Sequence, residues 1–397
     1  MDKKLKKLSA LSLGLLFANL ALANDNIRTD TFITAGGTFT DSSVPFEGAG
    51  KDVNFNQLSR IGIQYTYTPS HDIPVTFTGQ LLARGYSDWD IEAEWALISY
   101  RPSSSWMFNF GKIRTSMMML SQFHDVGVSY VWSTPPEETY GFANIPFTSM
   151  TGVELVNTQF MGDWMVRTKI QTGNNNFLVP AFGITVPVQI DRLDQIRLDV
   201  NNDTLSLSLG ITTVSFTAQE LSTLLSDPRV LASLAPLAQF NLSPADLGLA
   251  DTTHGRVELF DAGFIYDNDL LLVGEVTKRR LSESTFPDYH SGMFTAGYHF
   301  NQYTPHITFA YSDTNGTIIS QEQKSIILGF NIATSASSLL KFEFKNTEIG
   351  DGSISPIPGV PLSVSNVGLF DTLPVEFGGD AIEDSVNKIS ITYSVVL

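Results

Sequence analysis

The chain has 397 residues, no cysteine, and 41 acidic against 24 basic residues, which gives a formal net charge of −17. This acidity excludes a nucleic-acid-binding protein, because the phosphate backbone repels a chain of the same sign. The absence of cysteine excludes structural disulfides and lipid attachment through an amino-terminal cysteine.

Residues 1–23 have the composition of a secretory signal peptide. Lysines between Lys3 and Lys7 precede an apolar run from Leu8 to Leu22, and small residues precede Asn24. The run is too short and too polar to span a membrane as a helix, and the alternative is a buried amphipathic helix. Because this leader carries four lysines and one aspartate, its removal lowers the net charge to about −20.

After the leader, apolar residues recur at every second position in about sixteen short stretches. The last stretch is the clearest, with Ile389, Ile391 and Tyr393 on one face and Ser390 and Thr392 on the other. A period of two predicts strands with one apolar face and one polar face. The predicted strands are 27–41, 55–68, 74–87, 89–101, 105–114, 150–160, 164–174, 191–201, 203–216, 255–266, 270–283, 291–301, 305–314, 323–333, 338–349 and 385–397.

The gaps between these strands alternate between short and long, as at 102–104 and 115–149. No stretch after the leader is long and apolar enough for a membrane helix, and strands can cross a membrane only as a closed sheet. We therefore predict an all-β fold, a transmembrane antiparallel β-barrel of about 16 strands with short periplasmic turns and long extracellular loops. A secreted soluble β-protein would show the same alternation. Aromatic residues at the strand ends favour the barrel.

The mature chain, 24–397, is predicted to be a single barrel domain. In 217–253, leucines recur at helical spacing and are interrupted by Pro228, Pro236 and Pro244, which predicts short helices in an extracellular loop. This loop either caps the barrel rim, folds into the mouth as a lid, or contacts a neighbouring subunit. The segment 350–384, rich in glycine and proline, is predicted as another long outer loop.

The segment from Phe108 to Arg114 begins with two aromatic residues separated by one polar residue. It ends in Gly-Lys-Ile-Arg before the loop 115–149. Here the chain resembles the general (non-specific) porins of Gram-negative outer membranes. In that family the third loop leaves the fifth strand and folds inward to form the pore constriction. The resemblance implies the same inward loop, an outer-membrane location among lipid and lipopolysaccharide, and a homotrimer in which each subunit holds its own pore.

The resemblance also assigns residues to the pore. Lys112 matches the basic residue that closes the fifth strand, Arg60 matches a basic wall residue, and Asp125 is one of the acids on the inward loop. Together with inward Arg84 and with Arg114, the predicted pore constriction comprises Arg60, Arg84, Lys112, Arg114, Asp125, Glu137 and Glu138. The chain departs from the family by ending in Leu397 instead of Phe and by lacking an arginine near Met150, so the positive wall is thinner.

Lys112 has the parity of Phe108 and Phe110, which would place it on the lipid face. Either a bulge at Gly111 turns Lys112 inward, or its side chain extends along the outer rim. We predict the bulge.

A cationic wall that faces an acidic loop would set a transverse field across the narrowest part of the pore. Passage would be passive diffusion of small hydrophilic solutes and ions, with no cofactor. Both signs of charge line the lumen, which predicts weak selectivity, and the net acidity favours cations. The predicted lumen-lining charges are Glu92, Glu94, Arg167, Lys169, Arg197, Glu275, Arg279, Lys341, Glu343 and Lys345.

No motif for catalysis or metal binding stands out, so the chain is predicted not to be an enzyme. His299 and His306 flank one turn and could face each other, and His124-Asp125 could imitate a hydrolase dyad but has no serine placed beside it by motif. The alternatives are a sugar- or anion-selective channel, an outer-membrane enzyme such as a lipase, and a surface adhesin or receptor.

Overall fold

A computed structural model describes residues 26–43, 45–70, 72–141, 147–181, 184–218, 254–282, 288–315, 319–350, 352–357, 360–364 and 384–397. The predicted leader lies outside the described residues. So does the predicted helical part of the loop 217–253, of which Thr217 and Ala218 are the last residues of a strand.

Eighteen strands lie in the described part of the chain. They are β1 Ile27–Thr40, β2 Arg60–Tyr67, β3 Val75–Arg84, β4 Ile91–Tyr100, β5 Trp106–Arg114, β6 Ser149–Met161, β7 Trp164–Ala181, β8 Ile184–Asn201, β9 Leu205–Ala218, β10 His254–Asp267, β11 Leu270–Ser282, β12 Asp288–Tyr298, β13 Tyr303–Asn315, β14 Ile319–Ser335, β15 Ser338–Ile349, β16 Gly352–Ile357, β17 Val360–Val364 and β18 Ser385–Val396. A short helix, α1, spans Glu137–Tyr140.

The strands form a closed antiparallel barrel. Each strand from β1 to β15 pairs with its sequence neighbour, β15 also pairs with β18, and β18 pairs with β1 from Phe32↔Val396 to Thr40↔Lys388. The hairpin β16–β17 stands outside this ring, which therefore has sixteen strands. Closure pairs the backbone groups of the strands with one another and leaves no free sheet edge. The predicted all-β barrel is confirmed.

The two faces of the barrel wall have opposite character. On β9, Leu207, Leu209 and Ile211 point outward and are 43–55% exposed, whereas Ser208 and Thr212 point inward and are at most 8% exposed. The same distribution of exposed apolar and buried polar side chains continues around the ring. A soluble β-sandwich would bury its apolar faces between two sheets, so this arrangement contradicts the soluble alternative and fits a wall in contact with hydrocarbon.

Among the described residues, no helix has both the length and the apolar character needed to cross a membrane.

Most predicted strand ends agree with the structure to within a few residues, but β7 and β8 do not. They were expected to cover 164–174 and 191–201, and they form a hairpin that continues to Ala181 and begins again at Ile184. The register shifts between Gly173 and Asn175 in one strand pair and between Ile190 and Arg192 in the next. Each shift reverses which residues face outward, so the alternation cannot be followed through it.

The barrel wall is higher on one side than on the other. The strands β2 to β5 contain 8–10 residues, whereas β7 and β8 contain 18 each and β14 contains 17. At about 3.3 Å per residue, the strands of the low wall are roughly 30 Å long and the strands of the high wall approach 60 Å. Tilted strands of about 9–11 residues are long enough to cross a membrane core, so the strands of the high wall are longer than such a crossing requires.

Candidate pore constriction

The described residues between β5 and β6, 115–141 and 147–148, are called the inner loop here because they lie inside the ring of strands. It enters along β7 and β8, where the Ser116 N–H donates to Gln171 and Gln195, both at 3.3 Å, and the Ser116 carbonyl accepts from Arg197 at 3.1 Å. It then crosses the lumen to the closure between β1 and β18. There Gly127 lies so close to Thr34 and Ser394 that a Cβ atom would overlap their hydroxyls.

Asp125 fixes the inner loop to one side of the wall. Its carboxylate accepts from Arg84 Nε at 2.9 Å and Arg84 Nη2 at 2.8 Å, and it also pairs with Arg114. The side chains of Arg84, Arg114 and Asp125 are only 1–5% exposed. Burial alone would raise the pKa of Asp125, but the two guanidinium groups outweigh it and hold the pKa well below its ordinary value.

Arg84 also binds the two predicted acids of β4. Its Nη1 atom lies 2.8 Å from Glu92 and its Nη2 atom 2.6 Å from Glu94. Glu94 is buried and also accepts from the Thr148 hydroxyl at 2.9 Å, whereas the Glu92 side chain is 48% exposed. We refer to Arg84, Arg114, Asp125 and Glu94 as the ionic anchor.

The ionic anchor changes the predicted role of the arginines. The sequence predicted a cationic wall that faces acids across a gap, but Arg84 and Arg114 touch Asp125 directly, and Arg60 donates to the Tyr130 hydroxyl of the loop. These groups are buried and paired, so they hold the loop and do not face the solution. The gap predicted between Asp125 and the arginines Arg84 and Arg114 is therefore wrong.

Four strands along the ring from β3, the wall lysine Lys341 of β15 binds the main chain of the inner loop. Lys341 Nζ donates to the carbonyl oxygens of Gly127, Tyr130 and Trp132 at 2.5, 2.7 and 2.6 Å. It also lies 4.4 Å from the centre of the Tyr130 ring. Three carbonyl dipoles and a ring face therefore solvate this cation in place of water. We refer to Lys341 and these carbonyls as the carbonyl anchor.

Three further contacts extend the carbonyl anchor along β13 to β15. The Ser133 N–H donates to Glu343 at 2.9 Å, and Asn331 Nδ2 donates to the Val131 carbonyl at 2.8 Å. Trp132, 1% exposed, donates from Nε1 to the Thr308 hydroxyl at 2.8 Å. The inner loop thus reaches strands of the wall that the ionic anchor does not include.

The helix α1 carries the remaining predicted loop acids. Glu138 is fully buried and pairs with Lys345 at 3.0 Å, accepts from Gln323 at 2.8 Å, and accepts from Ser325. Glu137 is half-buried at the start of α1 and belongs to neither anchor. The structure therefore separates Glu137 and Glu138 from Asp125, with which they were predicted to act.

Glu275 on β11 binds the inner loop at two residues that are far apart in its sequence. It accepts from the Met119 N–H at 2.9 Å and from the Tyr140 hydroxyl. Nearby, Arg279 lies with its guanidinium carbon 5.1 Å from the centre of the Tyr289 ring, and the Tyr289 hydroxyl donates to the Glu138 carbonyl at 2.6 Å.

The inner charges of β7 and β8 lie beside the loop entrance. Lys169 donates to Gln122 of the loop at 2.9 Å and lies 3.6 Å from Asp199, whereas the Arg167 guanidinium contacts the Met165 sulfur at 3.6 Å. Arg197 makes two bonds to Asp261, at 2.9 and 3.0 Å. Asp261 on β10 is fully buried, and Arg197 is its charged partner.

Part of the lumen wall is apolar and is covered by the inner loop. Inward side chains of β8 to β14 pack against loop residues in one buried cluster, which includes Met117, Met118, Leu120, Trp132, Leu193, Leu259, Val273, Met293 and Ile327. Alternation predicted polar residues at the inward positions and did not predict this cluster. The inward parity of Leu193 and Val273 was the signal that could have found it.

Lys112 lies outside the constriction. The pairing runs without interruption through Phe110↔Val153, Gly111↔Gly152 and Lys112↔Thr151, although Gly111 has a φ of +126°. Lys112 therefore keeps the outward parity of Phe110, and the predicted bulge is wrong.

The histidines do not form the sites that were considered for them. His299 binds Asp267 and Thr304 at 2.8 and 2.9 Å, whereas His306 packs against Gly329. Asp125 is held by two arginines, so His124-Asp125 lacks the free carboxylate that a dyad needs. Burial lowers the pKa of His124 to about 4. Within the described ranges, no group of three or more histidine, aspartate or glutamate side chains is arranged to hold a metal ion.

No protein-family model matches the chain, and no curated protein matches it. Solved structures do match. The anion-selective porin from Comamonas acidovorans matches with a TM-score of 0.59 and 12% identity over 94% of this chain and 99% of that one. OmpT of Vibrio cholerae has a TM-score of 0.55 and 10% identity over 95% and 100%, and OmpF of Salmonella typhi in complex with daunomycin has 0.54 and 9% over 93% and 97%. At these identities the comparison shows the fold alone, and the chain has the fold of outer-membrane porins and channels.

Proposed function

We propose that the chain is an outer-membrane porin, a water-filled channel for passive diffusion of small hydrophilic solutes and ions. The observation that carries this proposal is a closed barrel with an apolar exterior, a polar interior and a loop held across its lumen. An apolar exterior is stable in hydrocarbon, and a ring of sixteen strands is wide enough to enclose an aqueous path. The sequence signature of residues 1–23 supports export to that membrane.

The inner loop would limit passage by size, because it occupies lumen space between the ionic and carbonyl anchors. Charge selection would then fall to inward groups that keep some exposure, such as Glu92, Asp199, Arg167 and Lys169, and not to the buried arginines. Both signs are present, so we propose weak selectivity, with the net acidity of the chain favouring cations.

We further propose a homotrimer that associates through the low wall. The outward faces of β1 to β4 carry no charged side chain in the described residues and include small residues such as Gly79, Ala93 and Ala96. By contrast, charges line the outer face near the extracellular ends of β10 to β15: Arg256, Glu258, Lys278, Arg280, Asp313, Glu322, Lys324 and Glu348. An uncharged face suits a neighbouring subunit, whereas a charged rim suits lipid headgroups and lipopolysaccharide. A trimer form of Vibrio cholerae OmpT is among the matching structures.

Conductance in planar lipid bilayers tests the channel. We expect discrete ohmic steps that grow with salt concentration without saturating and that are not blocked by sugars. Block by a sugar, or saturation with one ion, would replace the general porin with a selective channel. Folded, inserted protein without conductance would contradict the proposal and favour an adhesin or receptor.

A further inference from the structure

The loop between β1 and β2 folds back into the extracellular mouth of the barrel. Phe46 and Ala49 exchange two backbone hydrogen bonds, of 2.8 and 3.0 Å, around a turn at Glu47 and Gly48. Both turn residues have positive φ, 48° and 71°, which is unusual for a residue with a side chain such as Glu47. Phe46, 1% exposed, packs with Ile349 and Val386 and holds the turn against the wall.

The turn places the Glu47 carboxylate between two wall lysines. One oxygen lies 2.5 Å from Lys345 Nζ on β15, and the other pairs with Lys388 on β18. Lys345 also binds Glu138 of the inner loop at 3.0 Å. The four side chains are at most 7% exposed, and they form a continuous chain of alternating charge, Lys388–Glu47–Lys345–Glu138.

This series of ion pairs joins the loop between β1 and β2 to the inner loop, and these two loops are far apart in the sequence. Buried ion pairs add little stability compared with apolar packing of the same volume, but they fix geometry because each charge needs its partner. Lys345 contacts both acids, so any movement of Glu47 changes the position or the hydration of the cation that holds α1. The nearest further acid on β15, Glu343, is engaged by the Ser133 N–H.

We propose that Glu47 is a positioning residue of the constriction. It acts through Lys345 to hold the α1 end of the inner loop, so that the first loop and the inner loop keep one arrangement at the extracellular mouth. This inference rests on the proposed channel function and adds a residue of the first loop to the groups that define the pore.

The charge state of Glu47 suits a permanent link. Burial alone would raise the pKa of Glu47, but Lys345 and Lys388 outweigh it and lower the pKa to about 2. Because the pKa is lower in the folded protein, the ionised carboxylate stabilises the fold at any pH above the pKa of this group in the unfolded chain. This stabilisation is lost only as the pH falls towards 2. The link therefore persists at any pH at which the other carboxylates of the chain are ionised.

A cysteine reporter tests the inference, since the chain has no cysteine of its own. Glu137→Cys places a thiol at the half-buried start of α1, and its rate of reaction with a charged thiosulfonate reports how firmly α1 is held. In the Glu137→Cys protein, we expect Glu47→Gln to raise the reaction rate of the thiol about tenfold. The reason is that the rate follows the population of the locally open state of α1, which we expect to rise about tenfold. Single-channel recordings of the same protein should show more frequent spontaneous closures.

Asp52→Asn is the matched control, because Asp52 is an exposed acid of the same loop and the substitution removes the same charge. It should leave the thiol rate and the closures unchanged. Glu47→Asp keeps the charge on a side chain one methylene shorter and should restore part of the protection. If Glu47→Gln does not insert, Glu47→Asp carries the test with an intermediate rate.

Wild-type thiol rates and closures in Glu47→Gln, or in Glu47→Asp if only that variant inserts, would overturn the inference. A rate that rises equally in Asp52→Asn would also overturn it, because loop charge in general would then be responsible. Absence of conductance in the unsubstituted protein would instead contradict the channel, and the thiol rate would still test the positioning role.

Discussion

The inner loop is held in different ways at its two anchors. At the ionic anchor, one loop side chain, Asp125, meets two arginine side chains of the wall. At the carbonyl anchor, Lys341 binds three main-chain oxygens that any loop residue could supply. The comparison indicates that loop sequence decides the first anchor and wall sequence decides the second. Substitutions at the two anchors should therefore differ in the size of their effects. They should also differ in whether the loop residue or the wall residue is the sensitive one.

The largest effect is expected from Asp125→Asn. The change removes the carboxylate that Arg84 and Arg114 share, although Arg84 keeps its contacts with Glu92 and Glu94. Removing one partner of a buried pair costs about 3–5 kcal/mol. We expect the loop to leave this wall, with larger single-channel conductance and faster uptake of larger sugars in liposome swelling. Asp72→Asn, in an exposed turn, is the control. Unchanged conductance in Asp125→Asn would mean that the ionic anchor does not hold the loop.

A smaller effect is expected from Lys341→Met. The loop carbonyls of Gly127, Tyr130 and Trp132 lose their donor. Because water can enter and bind these carbonyls, we expect a net loss of about 1–3 kcal/mol in total. We expect a lower thermal unfolding midpoint and noisier open-channel current. Val131→Ala, which leaves the main chain in place, should have little effect on current noise. Equal effects of the two substitutions would contradict the view that wall residues decide this anchor.

Trp132→Phe should have a still smaller effect. It keeps most of the buried ring but removes the hydrogen bond from Nε1 to Thr308, which is worth about 1 kcal/mol. We expect a slightly lower unfolding midpoint and unchanged conductance. A fall as large as that of Lys341→Met would show that the indole, and not the lysine, is the main contact on this side.

The smallest effects concern ion selectivity, measured as reversal potential in a salt gradient. Lys169→Gln removes a partly exposed lumen cation and should shift the potential towards cations. Lys112→Gln removes a lysine of the outer face and should leave it unchanged. An equal shift in both variants would restore Lys112 to the pore.

The fold could be predicted because alternation and gap length are local properties of the sequence. The last strand shows this in Ile389, Ile391 and Tyr393, whose outward parity was predicted and is observed. Prediction failed where a local irregularity changes which residues face outward. The register shift between Gly173 and Asn175 is an example, because the predicted strand ended there and the rest of β7 was not predicted. At Gly111 the opposite error occurred, since a glycine with positive φ does not interrupt the register.

The site could be predicted only in part. Inward parity identified Arg84, Lys341 and Lys345 as lumen residues, but a sequence does not show which loop residue a lumen charge will meet. Asp125 was expected across a gap from the arginines and is bound to them, because an unpaired buried charge is unstable. The sequence around Glu47 did not indicate its role, because that role depends on contacts with β15 and β18. These strands lie about three hundred residues further along the chain.

The central claim is that the inner loop lies across the lumen of an open channel. A Cβ atom on residue 127 would lie 3.0 Å from the Ser394 Cβ atom, closer than the roughly 3.5–4.5 Å of a disulfide. A loop shift of less than about 1 Å would reach disulfide geometry, so Gly127→Cys with Ser394→Cys tests the claim by disulfide formation. We predict that oxidation cross-links the loop to β18 and that the cross-linked channel still conducts in planar bilayers. A folded, inserted barrel in which these cysteines do not cross-link, or in which cross-linking abolishes every conductance step, would contradict the account.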